Sequence, residues 1–162
     1  MRKKVPVLLG LVVIFFPGLV FGGLIDYYPE YDAWLALFPG EVDLGLPAPG
    51  SSGGDYWETR TPLIITFQCP QPGRNWQLSL NGNDFAAGNH IIKRQRMEWR
   101  NWTGSYQSMK PARQELILAR SRDFPGNEWI LHLLFLYFRL QLDQWEPAGE
   151  YASEMRVTLF CW

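Results

Sequence analysis

Trp99 and Trp102 stand three residues apart, with Arg94, Arg96, Arg100 and Asn101 around them. Flat aromatic rings beside guanidinium and amide groups make a platform on which a sugar ring or a peptide side chain can lie. Trp99, Trp102, Arg94, Arg96 and Arg100 are therefore the candidate ligand-binding residues. Trp is equally a core residue of β-sandwiches, so platform and core packing stand as alternatives until the burial of each ring is known. Asn101-Trp102-Thr103 also matches an N-glycosylation acceptor, which matters only in a eukaryotic secretory host.

Catalytic chemistry finds little to build on. The two histidines, His90 and His132, share no metal-ligand spacing with each other or with the cysteines. No nucleophile elbow, phosphate-cradling glycine loop or HExxH segment is present. His132 lies inside an apolar run and reads as a core or edge residue. The expectation is a protein that is not an enzyme and needs no cofactor and no metal.

Cys69 and Cys161 are the only two cysteines. Each lies at the C-terminal end of an alternating segment, on the parity of that segment's apolar residues, so both thiols should point into a core. In an immunoglobulin-type sandwich the first and last strands can run side by side, which would bring those two ends together. The alternative is two free buried thiols. A leader favours the bridge. Arg2, Lys3 and Lys4 precede an apolar run from Val7 to Phe16, and Val20-Phe21-Gly22 offers a cleavage site. Residues 1–22 thus read as a signal peptide that sends the chain to an oxidising compartment, secreted or at the cell surface. A retained membrane anchor is the other reading of that segment, and would be the chain's one membrane attachment.

The leader holds three of the 15 Lys and Arg residues and none of the 16 Asp and Glu residues, so the remainder is net acidic. That balance argues against nucleic acid as a partner. Within the remainder the charge is uneven. Residues 23–58 carry seven acidic side chains and no basic one, whereas residues 90–122 carry eight basic and two acidic. Complementary patches of this kind can meet within a molecule or between copies, so a protein partner or self-association is expected.

These residues need elements to position them. Residues 23–44 form an acidic, aromatic N-terminal arm, in which Ala33 to Phe38 fits a strand or a single helical turn. Residues 45–56 are rich in Pro, Gly and Ser and read as a linker. The body, residues 57–162, is a series of short alternating segments. Leu63, Ile65, Phe67 and Cys69 alternate with Ile64, Thr66 and Gln68. Trp76, Leu78 and Leu80 alternate with Gln77 and Ser79, and Asn81-Gly82 should close a tight hairpin turn. Arg94, Arg96, Glu98 and Arg100 alternate with Gln95, Met97 and Trp99, which predicts a strand with a charged outer face. The last segments, Trp129 to Leu142 and Tyr151 to Trp162, read as a terminal hairpin, with a bulge expected near His132 to Phe135 because the first is unusually long. Some six or seven short strands at this spacing specify an all-β antiparallel sandwich.

Two stretches carry a family likeness. Trp76 to Phe85 and Pro147-Ala148-Gly149-Glu150-Tyr151, the latter leading into Val157-Thr158-Leu159, resemble segments of exported bacterial β-sandwich surface proteins, among them pilin-like, spore-coat-like and wall-associated domains. Trp76-Gln77-Leu78 is also similar to the tripeptide that names a wall-binding family, although no second copy follows near Trp162. The resemblance implies an immunoglobulin-like β-sandwich at the cell surface. Its expected role is structural or adhesive and non-catalytic, with assembly through the N-terminal arm. A carbohydrate-binding module that uses exposed Trp residues on cell-wall or other glycans is the alternative.

Overall fold

The computed structural model describes residues 10–16, 19–28, 33–47, 56–69, 75–124, 131–143, 146–147 and 150–162. Among these described residues there are fourteen strands and two 3-10 turns. In chain order the strands are β1 (Gly10–Phe16), β2 (Leu19–Tyr28), β3 (Ala33–Phe38), β4 (Leu46–Pro47), β5 (Tyr56–Glu58), β6 (Leu63–Gln68) and β7 (Trp76–Gly82). They continue with β8 (Phe85–Ala87), β9 (His90–Ile92), β10 (Met97–Asn101), β11 (Gln107–Ser108), β12 (Leu116–Arg120), β13 (Leu131–Gln141) and β14 (Met155–Cys161). No helix among the described residues is long and apolar enough to cross a membrane.

The larger sheet has the order β1-β2-β3-β6-β13-β10-β11, with β5 also on β13 and β4 on β5. The smaller has the order β12-β7-β14, and β8 and β9 form a separate hairpin. Neighbouring strands run antiparallel throughout, and the chain is an all-β sandwich. Within 57–162 the strands of five or more residues are β6, β7, β10, β12, β13 and β14. Period-two alternation decides the core. Leu63, Ile65 and Phe67 of β6, Leu134, Leu136, Phe138 and Leu140 of β13, and Met97 and Trp99 of β10 point inward and are buried. Trp76, Leu78 and Leu80 of β7 and Leu116 and Ala119 of β12 belong to the same buried cluster. Burying a side chain of this size contributes about 1.5–3 kcal/mol, so this interface is what holds the two sheets together.

Several local expectations fail for identifiable reasons. The two last strands do not form a hairpin: β13 pairs with β6, β10 and β5 in the larger sheet, whereas β14 pairs with β7 in the smaller. The chain crosses between sheets at that turn. No bulge falls near His132 to Phe135, where the register with β6 is continuous from Leu131 to Leu136; it slips by two residues only beyond, between Leu136 opposite Leu63 and Arg139 opposite Glu58. Its length is supported by a relay of partners along one side. β6 pairs with Leu131 to Leu136, Thr59 donates its backbone N–H to the Phe138 carbonyl and accepts the Phe138 N–H on its side-chain hydroxyl, and β5 takes Arg139 to Gln141. A second register shift lies in β12, between Ile117 and Ala119.

Asn81-Gly82 is not a hairpin turn either, because both residues are still in ladder with β14, opposite Arg156 and Met155. The tight turn is one segment later, at Gly88-Asn89 between Ala87 and His90, where Gly88 has φ of 58°. Arg94 to Arg96 forms a 3-10 turn, so the charged strand starts only at Met97. In the arm, Ala33–Phe38 is a strand. It pairs with β2 on one side and with β6 on the other, and buries Leu35 against the core. Leu46–Pro47 pairs with β5, and residues 48–55 of the linker reading lie outside the described residues. Of the leader reading, residues 10–16 and 19–22 fall in the β1–β2 hairpin, and residues 1–9, 17 and 18 lie outside the described ones.

Candidate binding face

The five platform residues separate in the structure. Trp99 faces inward opposite Phe138 and is only 7% exposed, and its indole N–H has no hydrogen-bond partner among the described residues. Arg94 is fully buried. Its guanidinium donates to the carbonyls of Leu80, Gly82 and Gln114 at 3.3–3.4 Å, and burial lowers its pKa from the usual arginine value, with the charge of Asp84 acting the other way. Arg94 thus ties the 3-10 turn to the end of β7 and the loop after Arg113. The backbone N–H of Arg94 and the Lys93 ammonium both bond Asp84, and these bonds hold its carboxyl below the ordinary carboxylate range. Arg96 is engaged by Glu146 and by Asp143, the latter at 3.3 Å. Of the set, Arg100 and Trp102 are on the outer face of the larger sheet.

That face is organised by the parity opposite to the core. Leu131, Leu133, Phe135, Tyr137 and Arg139 alternate outward along β13, and Glu98 and Arg100 stand opposite Arg139 and Tyr137 on β10. Gln68, Thr66 and Ile64 of β6 stand opposite Leu131, Leu133 and Phe135. Trp34 of β3 donates its indole N–H to Gln68 at 2.9 Å, which extends the face into the arm. Trp102, 62% exposed, folds back from the end of β10 so that its ring lies 5.3 Å from Phe135 and 6.3 Å from Tyr137.

Two guanidinium groups knit the other end. The Arg100 guanidinium carbon lies 4.5 Å from the Tyr137 ring centre and 5.2 Å from that of Tyr106. Arg139 lies 4.0 Å from Tyr106 and 4.3 Å from Tyr56, and its Nε donates to Glu98 at 2.6 Å. Each cation over a ring contributes about 0.5–1 kcal/mol at sites this exposed, and together they fix ring orientations before any ligand arrives. Burial raises the Tyr106 phenol above its ordinary value, with Arg100 and Arg139 opposing the shift. The apolar end stays open, with Leu131 and Leu133 each more than half exposed.

Phe135, Tyr137, Arg139, Tyr106 and Tyr56 are the members of this face that a search for clustered Trp and Arg passes over. The usable signal is the odd-number parity of β13, readable once Leu136, Phe138 and Leu140 are assigned to the core. Cys69 and Cys161 form a disulfide, with Cα atoms 6.2 Å apart. It joins the end of β6 in the larger sheet to the end of β14 in the smaller, not two neighbouring strands of one sheet. His132 sits in an aromatic cluster, stacked on Phe67 at 4.9 Å and near Trp76 and Phe124. Among the described residues no three His, Cys, Asp or Glu side chains come together as a metal site.

No protein-family model matches the sequence, and no curated protein matches it. Among solved structures the chain is similar to one from a chaperone–tip adhesin complex of CFA/I fimbriae, at 12% identity and a TM-score of 0.41, over 81% of this chain and 53% of that one. The chain spans about half of that neighbour. At that identity and superposition the likeness places no ligand or partner on this chain.

Proposed function

We propose that this chain is a non-catalytic, extracytoplasmic β-sandwich protein with a structural or adhesive role, secreted or held at the cell surface, and that it engages a protein partner through the outer face of the larger sheet. The observation that carries the reading is Trp102, exposed on a prearranged bed of Phe135 and Tyr137 beside bare Leu131 and Leu133. Aromatic and Arg side chains in that setting are the usual anchors of protein interfaces. The Cys69–Cys161 disulfide and the leader support an oxidising compartment. The N-terminal arm contributes to assembly through its part of β2, Leu24–Tyr28, because β3 is already committed to β6.

Beads coated with the chain should be retained on layers of extracellular protein, and Trp102→Ala or Leu133→Ser should cut that retention several-fold. Equal retention of both variants would overturn the assignment of the face. A carbohydrate-binding role is the second reading, favoured by the exposed Trp102 ring beside Arg100. It requires that soluble glycans quench Trp fluorescence in the parent chain and not in Trp102→Ala.

A further inference from the structure

β14 is an edge strand of the smaller sheet, on a different sheet from the face around Trp102. Trp162 and Asn75 exchange both backbone hydrogen bonds, at 2.9 and 3.2 Å, and Asn83 donates to the Glu154 carbonyl at 3.0 Å. Antiparallel ladders alternate, so the even-numbered residues of this strand bond β7, and Met155, Val157, Leu159 and Cys161 turn their N–H and C=O groups the other way. Among the described residues no strand pairs with that side.

The edge also lacks the devices that protect edges. β12, at the opposite margin of the same sheet, is broken by a register shift between Ile117 and Ala119. β14 is regular over Met155–Cys161 and contains no Pro, no Gly and no inward charge. Its side chains are incompletely covered on both faces. The inward Met155, Val157 and Leu159 are half-buried, whereas Trp76, Leu78 and Leu80 on the adjacent strand are at most 1% exposed. Outward, Phe160 and Trp162 are 48% and 61% exposed.

We propose that two copies of this chain pair antiparallel along β14, about a two-fold axis at Thr158, and so merge two three-stranded sheets into one continuous sheet. The strand's own pattern selects a second copy as the occupant. About that axis Val157 meets Leu159 of the second copy, both with backbone groups that β7 does not use. Arg156 lies opposite the exposed Phe160 of the second copy, a cation against a ring, and Glu154 lies opposite Trp162. No like charges face each other. The apolar side chains of each copy then cover those of the other.

Sedimentation of the disulfide-bonded chain over about 1–100 µM, which spans the micromolar, weak end of protein interfaces, should show a reversible monomer–dimer equilibrium. Val157→Pro removes an N–H that β7 does not use and should weaken the dimer at least tenfold. Thr158→Lys sets two ammonium groups against each other at the axis and should do the same, which covers the case in which the proline variant does not fold. Both native cysteines are bonded, so Thr158→Cys offers a single free thiol per chain and should give a covalent dimer on oxidation. A chain that stays monomeric over the range, or a dimer that survives Thr158→Lys, would overturn the proposal.

Discussion

The two faces of β10 and β13 are built from nearly the same kinds of residue and do opposite things. Inward, Met97, Trp99, Leu134, Leu136, Phe138 and Leu140 are covered by the smaller sheet and buried. Outward, among the described residues no second sheet lies over Leu131, Leu133, Phe135 and Tyr137, and their cover is local: Trp102 on Phe135, Arg100 on Tyr137, and Arg139 between Tyr106 and Tyr56. Hydrophobic composition therefore does not separate core from surface here. Position relative to the opposing sheet does, and the outer face is left as an apolar surface with charged, oriented rings at one end.

The largest effect should come from the link that keeps the smaller sheet over the inner face. The disulfide closes a segment with a sequence separation of 92 residues. In the chain-entropy model a loop of that size contributes about 4–5 kcal/mol. Replacing both cysteines with Ala should lower denaturant stability by about that amount, and a loss below about 1 kcal/mol would show that core packing alone holds the sheets in register. Phe138→Ala comes next. It leaves a cavity between the sheets and should cost about 3–5 kcal/mol in chemical denaturation. Leu35→Ala should cost about 2–4 kcal/mol, because Leu35 is the large side chain that β3 buries fully in the core, with Leu37 only partly buried against it. A negligible change there would return the arm to an appendage of the body.

A smaller, pH-dependent effect belongs to the outer face. The phenol of Tyr106 is raised by burial, so the folded chain holds its proton more tightly than the unfolded chain does. The associated stability is complete below the ordinary tyrosine value near 10 and is lost as pH rises from there through the raised value. Thermal melts of Tyr106→Phe should therefore lack part of the parent's decline above pH 10. Identical alkaline limbs would mean that the Arg100–Tyr106–Arg139 stack is open to solvent.

How much of this was legible follows from where period-two alternation is informative. It identifies the inward residues of β6 and β7 and the alternation of β14, because each has one buried face and a short, regular run. It fails to pair strands across the molecule. The sequence neighbours β13 and β14 look like a hairpin, and nothing in 131–162 states that the chain changes sheet at the turn. Arg94 shows the same limit. Its spacing matches Glu98 and Arg100, yet it ends in a 3-10 turn with its guanidinium among three carbonyls, a cage assembled from Leu80, Gly82 and Gln114. Cys69 and Cys161 could be matched by count and parity, but their placement on opposing sheets required the topology.

Trp102 gives the smallest stability effect, and its contrast with Trp99 gives the cleanest separation of the two faces. Both are Trp, three residues apart in one basic segment, and only the strand's parity and its end distinguish them. Trp99→Ala should cost several kcal/mol, as for other buried rings. Trp102→Ala removes a ring in contact with Phe135 and Tyr137 but mostly in water, and should change stability by no more than about 0.5 kcal/mol. A ring kept exposed at so little benefit to the fold is one whose loss should be read in binding, so the informative result is retention on a partner surface falling while the melting curve stays in place. If Trp102→Ala instead melts the chain, the ring is a local cover for β13, and the outer face is the outer margin of the core.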